Sequence, residues 1–125
     1  MISLSEQLYN EYAKIQGFNQ VSFFYPKTWT ENSLPALSFY EQSNSEHIRV
    51  DDGQEFLAKV AYQVDVWANT PEECLVLAQK VDEITKALGL KREFAADLYN
   101  QAAQVHHKTL RYGGLIRPDT GEIYQ

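Results

Sequence analysis

A strict alternation of apolar and polar residues runs through residues 56–67 and is the clearest pattern in the chain. The apolar positions recur at every second residue, the spacing that places side chains on one side of a β-strand. They are Phe56, Ala58, Val60, Tyr62, Val64 and Val66. The pattern predicts one long, half-buried strand over this segment.

A well-marked helix start follows this strand. Thr70-Pro71-Glu72-Glu73 combines an N-cap residue, a proline at the first helical position and acids at the positive end of the helix dipole. An apolar stripe with helical spacing then runs from Cys74 to Leu88 and stops at Gly89. We predict a helix over residues 71–88.

An earlier helix is predicted over residues 4–16. Ser3 and Glu6 have the spacing of a capping box, in which both side chains satisfy backbone donors of the first turn. Apolar positions from Leu4 to Ile15 fall on one side of the helix, and Gly17 supplies the stop.

Shorter segments have the composition of strands. They are residues 21–25, 35–40, 93–98 and 105–112, and a terminal hairpin that pairs Leu115-Ile116 with Ile123-Tyr124. Residues 27–33, around Trp29, are predicted as a loop. The polar residues 42–54 are predicted either as a long loop or as the tip of an extended hairpin.

The element order predicts an α+β fold. We expect a single domain over residues 1–125, built as a two-layer sandwich. Its sheet has four to five strands, antiparallel or mixed, because short polar turns favour antiparallel pairing, and the two helices lie on one face.

Composition excludes several classes of protein. The 125 residues carry 17 acidic and 11 basic side chains, a formal net charge of -6. That charge repels phosphate and argues against a protein that grips a nucleic-acid backbone. No apolar run approaches the ~20 residues that a bilayer span needs, so we expect no membrane partner. The start of the chain lacks a basic segment and the single cysteine allows no internal disulfide, so we expect a soluble protein of a reducing cytoplasm.

The reactive residue types form no enzymatic pattern. His106 and His107 are adjacent in a predicted strand, so they point to opposite faces and do not readily share a metal ion. Cys74 lies on the apolar stripe of a helix, which favours a buried structural thiol over a nucleophile. We therefore expect a protein that is not an enzyme, with no catalytic residue, no metal and no cofactor.

The charge is unevenly distributed. Residues 1–97 hold 15 acids and 8 bases, whereas residues 98–125 hold 2 acids and 3 bases. The basic C-terminal part could meet an acidic segment on a neighbouring copy of the chain, and the alternative is an ordinary solvated surface. The candidate contact residues are Glu46, Asp51, Asp52 and Glu55 on the acidic side, and Lys108, Arg111 and Arg117 on the basic side.

Trp67 is a further candidate contact residue. It lies on the polar side of the long strand, beside Leu57 and Ala61. A tryptophan in this position either anchors an interface with a neighbouring subunit or packs beneath a segment of its own chain, and the sequence leaves both interpretations open.

Several segments resemble the small tail-completion, or tail-terminator-like, proteins of long-tailed bacteriophages and prophages. The resemblance covers about residues 34–112. Its segments are Leu34-Pro35-Ala36-Leu37-Ser38-Phe39-Tyr40, Tyr62-Gln63-Val64-Asp65-Val66-Trp67-Ala68, the helix that ends at Gly89-Leu90-Lys91-Arg92, and His106-His107-Lys108-Thr109-Leu110-Arg111-Tyr112. Asp-Val-Trp-Ala followed by a helix capped by Thr-Pro is the most telling part.

The resemblance implies a structural role in the virion. Proteins of that family complete the tail tube and join it to the head connector, as rings that are commonly six-fold and through which the DNA passes. The implied partners are other copies of the chain, the tail tube protein and a head connector or neck protein, with DNA only as transiting cargo. The implied location is the virion tail or neck, and the host cytoplasm during assembly.

Two other functions remain open at this point. One is a head-completion or neck adaptor protein, which would bind the head rather than the tail. The other is a small-ligand-binding accessory domain, since one fold can carry many functions.

Overall fold

The computed structural model describes residues 3–23, 34–50, 55–100, 105–117 and 120–124. Two helices and six strands follow each other in the order that the sequence predicts. They are α1 (Ser5–Ala13), β1 (Gln20–Phe23), β2 (Ala36–Val50), β3 (Glu55–Ala68), α2 (Pro71–Ala87), β4 (Lys91–Asn100), β5 (Val105–Ile116) and β6 (Ile123–Tyr124).

The strands form one mixed sheet in the spatial order β1-β2-β3-β5-β4, and the two-residue β6 pairs with β5. β1 runs parallel to β2, and the other pairs are antiparallel. Both helices pack on the sheet, which confirms the predicted α+β class. The terminal hairpin is also confirmed, with Leu115 opposite Tyr124 and Ile116 opposite Ile123.

The start of α1 differs from the prediction. Leu4 occupies the N-cap position and no side chain caps the helix. The Ser3 hydroxyl instead accepts the backbone N–H of Ser5 at 3.1 Å, two residues ahead. The predicted capping box between Ser3 and Glu6 is therefore wrong, because the helix begins one residue later than the box requires. The cap of α2 is as predicted, since the Thr70 hydroxyl accepts the N–H of Glu73 at 3.2 Å.

The polar segment at residues 42–54 belongs largely to an extended hairpin. β2 continues to Val50 and pairs with β3 as far as Val50 opposite Glu55. Register shifts between Glu41 and Ser43 and between Glu46 and Ile48 interrupt the alternation that would have marked the strand. Each shift adds a residue and turns the following side chains to the other face. The predicted loop at residues 27–33 lies outside the described residues.

The two faces of the sheet differ in what covers them. On β3, Val60, Tyr62, Val64 and Val66 are fully buried and belong to one core with side chains of both helices. We call the side on which they lie the helix face. Gln63, Asp65 and Trp67 lie on the opposite side of β3, which we call the far face. Both described helices contribute to the core on the helix face.

Three buried tyrosine hydroxyls hold the helices to each other and to the sheet. Tyr12 of α1 bonds Thr85 of α2 at 2.6 Å. Tyr62 of β3 accepts the backbone N–H of Leu4 at 2.8 Å and donates to Glu41 at 2.7 Å. Tyr112 of β5 donates to Asp82 of α2 at 2.7 Å. Desolvation by burial raises the pKa of all three phenols, that of Tyr62 to about 12.

Asp82 collects several partners at the end of α2. Lys86 approaches its carboxylate at 3.0 Å and Arg92 at 3.1 Å, in addition to Tyr112. Burial alone would raise the pKa of Asp82, but the hydrogen bond from Tyr112 and the two cations outweigh it and lower the pKa. The carboxylate therefore joins α2 to both β5 and the start of β4.

We predict that Tyr62→Phe lowers the free energy of unfolding by about 2 kcal/mol, because the buried N–H of Leu4 loses its acceptor. Chemical denaturation followed by circular dichroism measures the change. Tyr9→Phe is the matched control, since the Tyr9 ring stacks on Phe23 and its hydroxyl makes no hydrogen bond among the described residues. Equal losses in the two variants would contradict the assignment.

We also predict a loss of stability at alkaline pH that depends on Tyr62. The folded protein holds the neutral phenol with a pKa of about 12, against a model value of 10.0. The stabilisation is complete below about pH 10 and is lost as the pH rises towards 12. The free energy of unfolding should therefore fall less steeply over this range in Tyr62→Phe than in the wild type or in Tyr9→Phe. Parallel curves for all three proteins would contradict the prediction.

Candidate interaction site

A chain of polar side chains crosses three strands on the far face. The Tyr40 hydroxyl of β2 donates to Gln63 Oε1 of β3 at 3.1 Å. Gln63 Nε2 donates to Asp65 Oδ2 at 3.3 Å, and Asp65 Oδ1 lies 2.5 Å from His107 Nε2 of β5. Asp65 has no exposed surface, and His107 is 9% exposed. The carboxylate is thus desolvated, and Gln63 and His107 supply the hydrogen bonds that water would otherwise make.

Trp67 closes one end of this chain. Its ring stacks on His107 with centroids 3.7 Å apart, and its Nε1 donates to the Ser38 hydroxyl at 3.2 Å. A second apolar cluster surrounds it, formed with Leu34, Ala36 and Val105. Trp67 is only 8% exposed in the single chain. Of the two interpretations that the sequence leaves open, packing within its own chain describes this ring.

The buried chain has the composition of a catalytic site but not its accessibility. Asp65 and His107 are paired as in an acid-base relay, and Ser38 is the hydroxyl nearest to them in the network. Ser38 is 1% exposed and accepts a hydrogen bond from Trp67, so a substrate has no path to it. These contacts fix the register of β2, β3 and β5 and stabilise the far face.

The two adjacent histidines point to opposite faces, as predicted. His107 lies opposite Trp67 on the far face, and His106 lies opposite Ala68 and meets the Tyr99 ring edge-on. Within the described part of the chain, no group of three His, Cys, Asp or Glu side chains is placed to hold a metal ion.

The Cys74 thiol is buried, as its place on the apolar stripe predicts. It is 4% exposed, and its Sγ donates to the backbone carbonyl of Val66 at 3.5 Å. Burial raises the pKa of the thiol to about 11, which keeps it protonated and weakly reactive at neutral pH.

The two basic residues of β5 lie on different faces. Lys108 is opposite Val66 on the helix face, and Arg111 is opposite Gln63 on the far face. Lys108 Nζ is 3.1 Å from the Asp97 carboxylate of β4, at the surface. The Arg111 guanidinium lies 5.4 Å from the centre of the Phe94 ring, and its buried Nε makes no hydrogen bond with the described residues. They therefore do not form one basic patch.

The predicted acidic contacts gather towards one end of the sheet as far as they are described. Glu46 of β2 pairs with Ala58, and Glu55 of β3 pairs with Val50 near the end of the same hairpin. The side chains of both glutamates, and Asp51 and Asp52 entirely, lie outside the described part of the structure.

Arg117 sits at the same end of the sheet as the hairpin acids. It follows β5, whose last residue Ile116 pairs with Ala58. Its backbone N–H donates to the carbonyl of Glu122 at 2.8 Å, and its carbonyl accepts the N–H of Gly121 at 2.7 Å. The backbone of Arg117 therefore closes the turn between β5 and β6.

An apolar surface at the edge strand β4 was not singled out from the sequence. Phe94, Leu98 and Tyr99 are each about half exposed on this strand, and Leu75 and Val76 are similarly exposed on α2. A cleft of about 330 Å³ separates the start of α2 from β4 and β5. Leu75, Leu98 and Lys108 are among its lining residues. The alternation in residues 93–98 predicts a strand, but its place at the edge depends on β5 inserting between β3 and β4.

A scan against models of known protein families finds no match, and a search of curated proteins finds none that is similar to this chain. None of the helices in the described ranges combines the length and the apolar character needed to cross a bilayer.

We predict that His107→Ala lowers the free energy of unfolding by about 3 kcal/mol, because it leaves the carboxylate of Asp65 buried without its closest partner. His106→Ala is the matched control, since His106 is half-buried and should cost under about 1 kcal/mol. Denaturation midpoints of the two variants measure the difference. A similar loss in both would show that the buried pair contributes little.

Proposed function

We propose that the protein is a non-enzymatic structural component of a bacteriophage or prophage virion. In this proposal it completes the tail tube and joins it to the head connector, as a ring-shaped oligomer of this chain through which DNA passes. The resemblance of residues 34–112 to tail-completion proteins supports the proposal. So do the two-layer α+β fold and the burial of the one acid-base network described here, which closes it to substrates.

The placement of charge at opposite ends of the sheet is the observation that carries the proposal. Glu55 begins β3 at the hairpin end, and Lys108 lies beside Val66 at the other end. At the rise of an extended strand, the eleven positions from residue 55 to residue 66 span about 35 Å. A subunit with acid at one end and base at the other suits head-to-tail contacts, which close into a ring when the rotation allows.

The net charge of the subunit is consistent with a channel for DNA. At -6 per chain, a ring of such subunits does not attract phosphate strongly, so DNA could pass without being held. Arg111 is the basic side chain on the far face of β5, and its guanidinium lies against the Phe94 ring rather than projecting freely.

Binding to purified virion parts distinguishes the tail position from a neck position on the head. The protein would be mixed separately with tail tubes that lack a terminator and with DNA-filled heads, and each mixture examined by negative-stain microscopy. The proposal predicts rings that cap the tubes. Binding to heads alone would favour a head-completion or adaptor protein, and a monomer that binds neither would contradict both.

We predict that reversing one of the two basic residues of β5 weakens ring assembly, and that the other reversal has a smaller effect. Lys108→Glu tests the helix face and Arg111→Glu the far face, because the two side chains point to opposite sides. Lys14→Glu is the control, since Lys14 is 72% exposed and pairs only with nearby Glu11 among the described residues. Sedimentation velocity at low and high salt measures the assembly. Unchanged assembly in both β5 variants at every salt concentration would contradict the charge-complementary contact.

A further inference from the structure

β4 is an edge strand with no strand partner on its outer side among the described residues. Its inner side pairs with β5, from Lys91 opposite Gly113 to Asn100 opposite Val105. In an antiparallel pair, alternate residues direct their N–H and C=O groups away from the partner. The outer side of β4 therefore presents a row of backbone donors and acceptors to which another strand can pair.

The features that usually prevent such pairing are confined to the start of β4. Lys91 and Arg92 open the strand, and a register shift falls between Arg92 and Phe94. From Phe94 to Asn100 the register with β5 is unbroken. Asp97 is the one charged side chain in this part, and Lys108 holds its carboxylate at 3.1 Å. Most of β4 thus lacks the lysines, prolines and bulges that protect natural edge strands.

Exposed apolar side chains are concentrated on this strand. Phe94 is 47% exposed, Leu98 52% and Tyr99 49%. Phe94 and Leu98 lie on the far face, because they pair with Arg111 and His107 of β5. Partial exposure of three large apolar side chains in six residues is typical of a surface that another chain covers.

We propose that β4 pairs antiparallel with β4 of a second copy of this chain, about a twofold axis at Ala96. In that register Phe94 of each copy lies opposite Leu98 of the other, so the two pairs form twice on the far face. Ala96 lies opposite itself at the centre, where its small side chain allows close approach. The two sheets then form one continuous sheet.

The charge of β4 favours a second copy over a partner of opposite charge. Lys91 and Arg92 balance Glu93 and Asp97, so the strand is formally neutral although the whole chain carries -6. The antiparallel arrangement keeps the basic start of one copy at the far end from the basic start of the other. Two copies of β4 can therefore meet without strong repulsion.

The length of β4 favours pairing with itself over pairing with the opposite edge. β4 has 10 residues, whereas β1, the strand at the other edge, has 4. Two copies of β4 can pair over most of their length, and β4 with β1 over four positions at most. The twofold contact closes on itself and is distinct from the head-to-tail contacts of a ring, so this inference does not depend on the proposed function.

Sedimentation equilibrium of the full chain tests the contact. The wild type should form dimers at concentrations on the order of 100 μM, and Phe94→Lys and Leu98→Lys should each raise the dimer dissociation constant at least about tenfold. Val76→Lys is the control, because Val76 is 51% exposed on α2, away from the strand edge. Circular dichroism verifies folding of each variant. A wild type that stays monomeric, or a dimer that persists in both β4 variants, would overturn the proposal.

Disulfide trapping tests the register. Ala96→Cys should cross-link rapidly under mild oxidation, because residue 96 of one copy faces residue 96 of the other within reach of a disulfide. Ala95→Cys is the matched control, since residue 95 would face Asp97 of the second copy and lie too far from its own counterpart. Native Cys74 is buried and does not interfere. Equal cross-linking of the two variants would overturn the twofold register.

The two proposals fail separately. Dimers that depend on Phe94 and Leu98, with no ring under any condition, would support the β4 contact and remove the ring. Rings that form equally well in the β4 variants, without any β4 cross-link, would do the opposite.

Discussion

The core of this protein lies between two helices and one face of the sheet, and the far face must therefore satisfy its polar groups with side chains of the strands themselves. The network from Tyr40 to His107 meets this requirement by bonding each buried group to the next strand. On the helix face, the hydroxyls of Tyr12, Tyr62 and Tyr112 join the helices to each other and to the strands. Both faces thus use hydrogen bonds between sequence-distant side chains to fix the same sheet.

This arrangement separates the stable part of the molecule from the part that can meet partners. Asp65, His107 and Trp67 are nearly inaccessible, so they contribute to stability rather than to binding. The surfaces open to partners are the end of the β2–β3 hairpin, the two faces of β5 where Lys108 and Arg111 lie, and the outer side of β4. A tail-completion protein needs surfaces of this kind, because it acts by contacting copies of itself and its neighbours.

The sequence predicts the elements with simple patterns and misses those set by long-range contacts. The alternation in β3 and the Thr70 cap were sufficient because each is a local signal. The length of β2 was ambiguous because two bulges interrupt its alternation. The odd spacing of Lys108 and Arg111 already implies opposite faces in a strand, although their common charge suggests one patch. Neither the edge position of β4 nor the pairing of Asp65 with His107 can be predicted locally, since both depend on which strands become neighbours.

Amide hydrogen exchange of the wild-type protein at low and high concentration tests most directly whether copies of this chain meet through the edge of β4. The account predicts that the outward amides of residues 94–99 exchange more slowly at high concentration, while those of β3, buried at both concentrations, do not change. Exchange in β4 that is independent of concentration, in a sample shown by sedimentation to have associated, would place the contact elsewhere and contradict the account.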